Sequence, residues 1–556
     1  MLQIALTLAI FLLAVIPAGT YMYHIAAGEK TFGDPFFDRV DQGIYRLCRI
    51  DRRGMGWKEY MGNLVLTNGV MILMGYFLLR FQGRLFLNPN GAAGMGPVLS
   101  LHTVISFMTN TNMQHSFGEE GLSHLSQMLV VIFMMFTSAA TGYGACMALC
   151  RGFAGKREDV GNFYEDMVRV TTRLLLPGSL VIGLALVWQG VPCTFGGNVT
   201  VETVTGSFQD IALGPVAALE SIKHLGTNGG GFFSANGASP LENPTIISNL
   251  LELFSMMLLP AACVLTFGKM VSKGKQGRAI FAAMAILFLA GLALCYGSEM
   301  AGNPRLAQAG LQGPGSYEGK EVRFGIDQSA LFTAATSAFT TGSVNNMHST
   351  LTPLGGMVPM LHMMMNCVFG GMGTGLMNMM MYVVLTVFIC GLMVGRTPEY
   401  LGKKIEGREM RLVVLVLVLH PLLILGFSAA GAVLPAGMET LANRDFHGFS
   451  EILYEFSSAA ANNGSGFEGL EDNTGFWNIT TGIVMLLGRY VSLAAQLAVA
   501  GSLLAKRRVK ASAGTMPTDN GLFTVLLVFI VYIFAGLTFV PALALGPVAE
   551  HLTLWF

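Results

Sequence analysis

Apolar and polar stretches alternate on a long scale along this chain. Apolar runs long enough to cross a hydrocarbon core, which takes about 20 helical residues, lie near 2–22, 61–79, 125–149, 174–189, 246–268, 279–297, 376–395, 412–435, 479–505 and 521–546. They predict about ten transmembrane helices. No basic segment precedes the first run and no convincing small-residue cleavage site follows it, so it reads as a membrane span rather than a signal peptide.

The connections that break this pattern recur. Four of them carry a moderately apolar segment too short to cross, followed by a polar run of glycine, asparagine and threonine: SFMTNTNMQH (106–115), KHLGTNGGGFF (223–233), SAFTTGSVNNMH (337–348) and SAAANNGSGFEG (458–469). Aligning TNTN, TNGG, TTGS and NNGS puts Thr111, Gly229, Gly342 and Gly464 in register, at intervals of 118, 113 and 122 residues. That period predicts a fourfold internal repeat of span, short re-entrant helix, polar loop and span. A single such loop reads equally as an ordinary turn; four matched copies do not.

Composition agrees with a membrane solvent: 53% of the 556 residues are hydrophobic and 12% charged, with a mean hydropathy of +0.57. The formal net charge is zero, which gives no field for nucleic acid. Of the 33 lysines and arginines, 25 fall in the loops 23–60, 150–173, 269–278, 396–411 and 506–510. By the positive-inside rule these loops are cytoplasmic, so both termini and all four glycine-rich loops face outward. Eight scattered cysteines without a C-x-x-C read as small hydrophobes, not as disulfides or metal ligands.

The chemistry follows from where the loops must lie. Non-helical backbone at membrane depth survives only where it is buried in protein or lines a watery cavity. Four such loops around one axis could turn carbonyl oxygens inward to replace the water shell of an alkali cation, using φ values that glycine reaches freely. The loops carry no carboxylate ring of the kind used for divalent ions, so the residues argue for a monovalent cation.

The motifs TNTNMQ, LGTNGGGFF, GGMVPM, GLMVGRTPEYLGKKI, HGFSE, NNGSGF and PALALGPVAE, spread from Thr109 to the C-terminal region, carry a resemblance. The chain resembles the KdpA family, the potassium-binding subunits of bacterial Kdp potassium-transporting P-type ATPases, within a superfamily of four-pore-loop potassium transporters. The resemblance implies an all-α polytopic membrane protein with four pseudo-fourfold helix–pore-loop–helix repeats around a central pore and an extra N-terminal helix. The corresponding segments are 1–24 (extra helix), 60–150, 171–270, 278–396 and 410–506 (repeats) and 517–556 (last helix). It further implies a potassium filter built from Asn110, Thr111, Asn112 and Gln114; Asn228, Gly229, Gly230 and Gly231; Thr341, Gly342, Ser343 and Val344; and Asn463, Gly464, Ser465 and Gly466. Two places depart from the family pattern: the first strand ends in MQH, and serine follows the third glycine. Glu468, beyond the fourth strand, is expected at the mouth.

Other features carry two readings each. The run VFGGMGTGLMN, with Gly370, Gly371, Gly373 and Gly375, should break its helix, as a site of close packing or, by the resemblance, as a gate below the filter. Arg489 is a mid-span arginine whose burial costs about 2.5–3.5 kcal/mol on insertion scales. It is expected either in a salt bridge with Glu252 or Glu455 or, by the resemblance, at the pore, disfavouring a second cation. The methionines of 357–381 raise a copper(I) reading, against which stands their ordinary use as packing residues. Histidines 102, 115, 124 and 348 are expected to be solvated or hydrogen-bonded near the outer loops.

No nucleotide-binding G-x-x-x-x-G-K-[ST] loop and no D-K-T-G phosphorylation motif occurs. The resemblance therefore implies that ATP is bound by a partner, KdpB, with KdpC and small KdpF, in the bacterial plasma (inner) membrane, and that no organic cofactor is carried here. A stand-alone channel or a secondary potassium/sodium transporter of the same superfamily is the alternative.

Overall fold

The fold is that of a computed structural model, which describes residues 2–310, 313, 315–393, 395, 397–509 and 515–556. Val394 and Arg396 of the GLMVGRTPEYLGKKI run, and Lys510 of the last basic loop, lie outside the described residues. Among the described residues, ten helices are long and apolar enough to cross a membrane: Leu2–Ala27, Trp57–Arg84, His124–Ala154, Phe163–Trp188, Ile246–Met270, Gly274–Leu306, Thr374–Met393, Gly407–Val433, Gly475–Leu504 and Gly521–Trp555. Each coincides with one of the ten apolar runs, and the chain is a multi-pass membrane protein.

Burial sorts these spans into two classes. In the four pairs that flank a glycine-rich loop, the leading span is 22, 33, 44 and 39% buried and the following span 78, 72, 61 and 56%. The leading helices are therefore the outer ring and the following helices the inner one. Sequence explains the division: the third span carries AATGYGACMALC, whose small residues let helices approach closely where no hydrophobic force drives them together. Gly152, for example, faces Ala500 of the ninth span so closely that a Cβ would stand 2.8 Å from its carbonyl oxygen.

The first span packs outside the ring against the fifth, where Thr266 donates to the Gly19 carbonyl at 3.1 Å. The last span lies against the sixth and seventh, through Thr524 Oγ1 to the Ala279 carbonyl at 3.2 Å and an edge contact between Tyr382 and Phe534. On the basic face, Arg151 pairs with Asp166 at 2.6 Å. There too Arg173 gathers Asp34, Asp38 and Asp41 of the short helix Asp34–Leu47. A two-stranded antiparallel hairpin, Val199–Glu202 with Phe208–Ile211, stands on the opposite connection. The eight cysteines are free.

Candidate functional site: four helix ends around one axis

Each glycine-rich loop follows a short helix: Pro97–Met108, Val216–Leu225, Gly325–Ala338 and Phe446–Ala461. All four stop in the same way. Asn110, Thr227, Thr340 and Asn462 adopt left-handed φ of 64, 53, 49 and 55°. The next residues, Thr111, Asn228, Thr341 and Asn463, return their N–H to the carbonyls of Ser106, Lys223, Thr336 and Ser458 at 2.8–3.0 Å. This is the 6→1 closure of a Schellman cap, which satisfies a free helix-end carbonyl and turns the chain sharply.

The shared cap corrects the alignment made from the motifs. The intervals between equivalent caps are 117, 113 and 122 residues, so Asn112, and not Thr111, stands level with Gly229, Gly342 and Gly464. The first repeat slips by one because its motif lacks glycine: asparagine, which tolerates the left-handed region, takes φ 59° at position 112, where Gly342 and Gly464 take 88 and 103°. In the second repeat the left-handed residue falls one place later, at Gly230 (75°). Asn110 consequently leaves the set of axial residues. Its amide instead braces the strands, donating to the Thr227 carbonyl at 2.8 Å and accepting from Ser138 at 2.8 Å. Met113, absent from the expected set, occupies the level of Gly230, Ser343 and Ser465.

The four strands converge. A Cβ added to Gly229 would stand 2.7 Å from the Thr111 carbonyl oxygen, 2.8 Å from that of Asn463 and 3.1 Å from Gly464 Cα. One on Gly342 would overlap the Asn463 carbonyl and stand 2.9 Å from Gly229 Cα, and one on Gly464 would overlap the Thr111 carbonyl. Main chain from all four repeats thus crowds a single axis, and glycine is required at 229, 342 and 464 because a Cβ there would meet the backbone of another strand. Several neighbouring side chains are held by hydrogen bonds. Asn462 donates to Thr111 Oγ1 at 2.9 Å, Asn463 to the Thr336 carbonyl at 3.1 Å, and His224 meets Ser343 at 2.9 Å. Among the described residues, no donor in the chain engages the carbonyls of Thr111, Asn228, Thr341 or Asn463. The negative ends of four helix dipoles, about −0.5 elementary charge each, point to the same place.

Above these strands a cavity of about 460 Å³ is lined by Asn112, Gln114, Val344, Gly466, Glu468 and others. Gln114 ties two strands by accepting from Gly231 N–H at 2.6 Å. Glu468 accepts from Ser349 N–H at 3.0 Å on the cavity rim, as expected of a mouth residue. The outer histidines are not solvated: His102, His115, His124 and His348 are all buried. His115, His124 and His348 meet Asn478, the Gly196 carbonyl and Tyr454, while His102 stacks on His115 at 4.1 Å. At the loop edge, burial pushes the Asp472 carboxyl up to about 6, against the pull of His115.

Beneath the strands lies the break in the third repeat. Helix Pro353–Met365 ends at Asn366, and helix Thr374–Met393 restarts after eight residues. The loop touches the filter-level caps directly: Met372 N–H donates to Thr227 Oγ1 at 2.8 Å and Gly370 N–H to the Ala338 carbonyl at 2.9 Å. Gly371 faces Thr227 and the Thr340 carbonyl. Gly370 and Gly375 lie back to back and Gly373 against Cys146, so close packing and a position across the axis belong to one structure. Arg489 sits in a π-helical turn, Leu487–Val491, of the ninth span. Its guanidinium donates to Thr374 at 2.7 Å, and a Cβ on Gly142 would stand 2.9 Å from Nη2 and 2.7 Å from the Met372 carbonyl. Among the described residues, the salt bridge to Glu252 or Glu455 is not formed: Glu252 lies 3.6 Å from His224 and Glu455 3.7 Å from His115.

Sequence reading missed a buried ionic cluster behind the second strand. Lys223 reaches Glu220 at 2.6 Å and Glu242 at 3.0 Å, and Glu242 accepts the N–H groups of Phe232 and Phe233 at 2.7 Å. Lys223 and Glu220 at i,i+3 were a legible signal; Glu242 comes from a loop that only the fold brings near.

Comparison with known proteins gives the family. The family described as KdpA, Potassium-transporting ATPase A subunit, matches residues 5–552. Relatives named "Potassium-transporting ATPase potassium-binding subunit" include one from Clostridium acetobutylicum, 52% identical over 555 residues and 100% of both chains. Another, from Geobacillus kaustophilus, is 52% identical over 99% of both. Among solved structures the chain is similar to the potassium transporter TrkH from Vibrio parahaemolyticus, at 12% identity and a TM-score of 0.51, covering 89% of this chain and 98% of that one. TrkH supports the fold. The match over nearly the whole length, with half the residues identical in full-length relatives, places this chain in the KdpA family.

Proposed function

We propose that this chain is the ion-selecting subunit of an ATP-driven potassium uptake complex, taking the ion from outside through the four converging strands. The observation that carries the reading is the crowding of main chain from all four repeats around one axis at the ends of four short helices, with the carbonyl oxygens of Thr111 and Asn463 against Gly229, Gly342 and Gly464. Such oxygens can replace the water around a weakly hydrated alkali cation, while the helix dipoles stabilise its charge without the affinity for divalent ions that a carboxylate ring would bring. Asn112, Gly229, Gly342 and Gly464 form the next level, and Gln114, Gly231, Val344 and Gly466 the outer one.

The Gly370, Gly371, Gly373 and Gly375 loop is the gate, and Arg489 the charge that disfavours a second cation below the filter. The repeats run over 60–150, 171–270, 278–396 and 410–506, with 1–24 and 517–556 as added spans and both termini outside. Potassium is cargo, and the energy comes from a P-type ATPase subunit, KdpB, with KdpC and KdpF, in the plasma membrane.

Anomalous scattering from crystals of the purified complex in rubidium tests the filter. One axial peak bounded by the four carbonyls is expected; splayed hairpins or no axial peak would refute it. Uptake that persists after the partner's phosphorylated residue is removed would favour a stand-alone transporter instead.

A further inference from the structure

Three side chains from three different elements meet on the wall of the outer cavity: His115 after the first filter strand, Glu455 on the fourth short helix, and Asp472 in the loop beyond the fourth strand. His115 Nε2 lies 3.7 Å from a Glu455 oxygen and 3.5 Å from an Asp472 oxygen. Among the described residues, neither His115 Nε2 nor Glu455 Oε1 has a hydrogen-bond partner, although both side chains are buried.

The far side of the histidine fixes its tautomer. Asn478 donates its amide N–H groups to Asn473 and to the Thr474 carbonyl, so its oxygen is the atom that faces His115 Nδ1 at 3.0 Å. Nδ1 therefore carries a proton, and Nε2 is turned toward two carboxylates. Such an arrangement calls for a positive charge between the three groups, either a second proton on Nε2 or a metal cation.

The two spacings to the histidine fit a small tetrahedral cation. A tetrahedral zinc ion, with bonds of about 2.0–2.2 Å to nitrogen and oxygen, sets its ligand atoms about 3.3–3.5 Å apart, within a few tenths of an ångström of the observed separations. A histidine oriented by an amide on its second nitrogen is the usual arrangement around such ions. The side chain of Asp472, 32% exposed, opens the group to the cavity, leaving the fourth position to water. The other His–carboxylate group, Glu220, His224 and Glu252, differs: all three are buried, Lys223 stands 2.6 Å from Glu220, and His224 Nε2 is already engaged with Ser343 at 2.9 Å.

We infer that His115, Glu455 and Asp472 form a site for a divalent transition ion of the zinc class, and that its occupancy weakens potassium binding. The second carboxylate oxygen of Glu455 lies beside the fourth strand, 3.5 Å from where a Cβ on Gly466 would stand. A divalent ion here replaces two negative charges at the mouth with none. Metal binding is independent of the filter assignment; its effect on potassium rests on that reading.

The test titrates the purified complex with zinc chloride and with cobalt chloride. One zinc per complex is expected, with the intense visible bands of tetrahedral cobalt. Asp472→Asn, conservative in shape and placed in a surface loop, should lower zinc affinity at least tenfold, and Glu455→Gln likewise. Zinc should raise the half-saturating potassium concentration severalfold in the native complex and leave it unchanged in Asp472→Asn. Equal zinc binding by the native and Asp472→Asn complexes, or no binding by either, overturns the site. Zinc bound here with unaltered potassium response overturns the coupling.

Discussion

Replacing Gly342 by alanine separates the filter reading from one in which these loops are merely tight turns. Two costs follow from the geometry. At φ 88° an L-residue pays a torsional penalty of about 1–2 kcal/mol, and each 1.4 kcal/mol is about a tenfold change in an equilibrium. The new methyl also overlaps the Asn463 carbonyl and stands 2.9 Å from Gly229 Cα; both obstacles are backbone atoms of other strands, unable to swing aside. Any relief must move a carbonyl that faces the ion. Together these effects should raise the potassium concentration for half-maximal ATP hydrolysis by the purified complex at least about tenfold, and relax discrimination against sodium. Gly229→Ala isolates the steric part, since Gly229 has no left-handed φ yet its Cβ would lie 2.7 and 2.8 Å from two carbonyl oxygens; a smaller rise is expected. Gly482→Ala is the control, its nearest neighbour being Ile105 Cδ1 at 4.0 Å. An intact Gly342→Ala complex whose potassium response and ion preference stay within twofold of native would refute the convergence of these strands on the ion.

The register found at the first strand has its own test. Asn112→Gly, which keeps the left-handed backbone, should retain potassium affinity, whereas Asn112→Val, a β-branched residue at φ 59°, should lose it by about an order of magnitude in the same assay. Gly375→Ala would drive its methyl onto the Phe369 carbonyl, so it should change the uptake rate while leaving the potassium-to-rubidium preference intact; an equal effect on both would assign the loop to packing alone. Arg489→Gln removes a charge that the proposed pore sets against a second cation; two like unit charges about 4 Å apart at an effective dielectric of about 20 repel by about 4 kcal/mol. Rubidium leak without ATP should appear in proteoliposomes, and its absence would remove Arg489 from the pore. Lys223→Met strands Glu220 and Glu242 without their partner, and breaking a buried pair in this way costs about 3–5 kcal/mol; thermal unfolding of the detergent-solubilised complex should start at distinctly lower temperature.

Much of this protein is written locally. Ten spans follow from apolar length alone, because in lipid every span must satisfy its own backbone and a helix does so within one segment. The four glycine-rich loops are legible for the same reason: a short apolar segment followed by glycine and asparagine is a helix that must stop at membrane depth, with a left-handed cap that few residues tolerate. The sequence could not resolve the one-residue slip of the first repeat, because TNTN matches TNGG equally well by residue type and only the hydrogen bond from Thr111 N–H to the Ser106 carbonyl shows where the helix ends. Nor could it find the partner of Arg489. The expected carboxylates, Glu252 and Glu455, lie beside His224 and His115, and the loop that receives the arginine comes from another repeat more than a hundred residues away. Glu242 with Lys223, and His115 with Glu455 and Asp472, likewise exist only because four repeats close on one axis. Local backbone chemistry determined the elements and the places where they bend. Which polar groups meet once they are bent was decided by the tertiary structure, since burial forces each of them to take the partner that ring closure brings within reach.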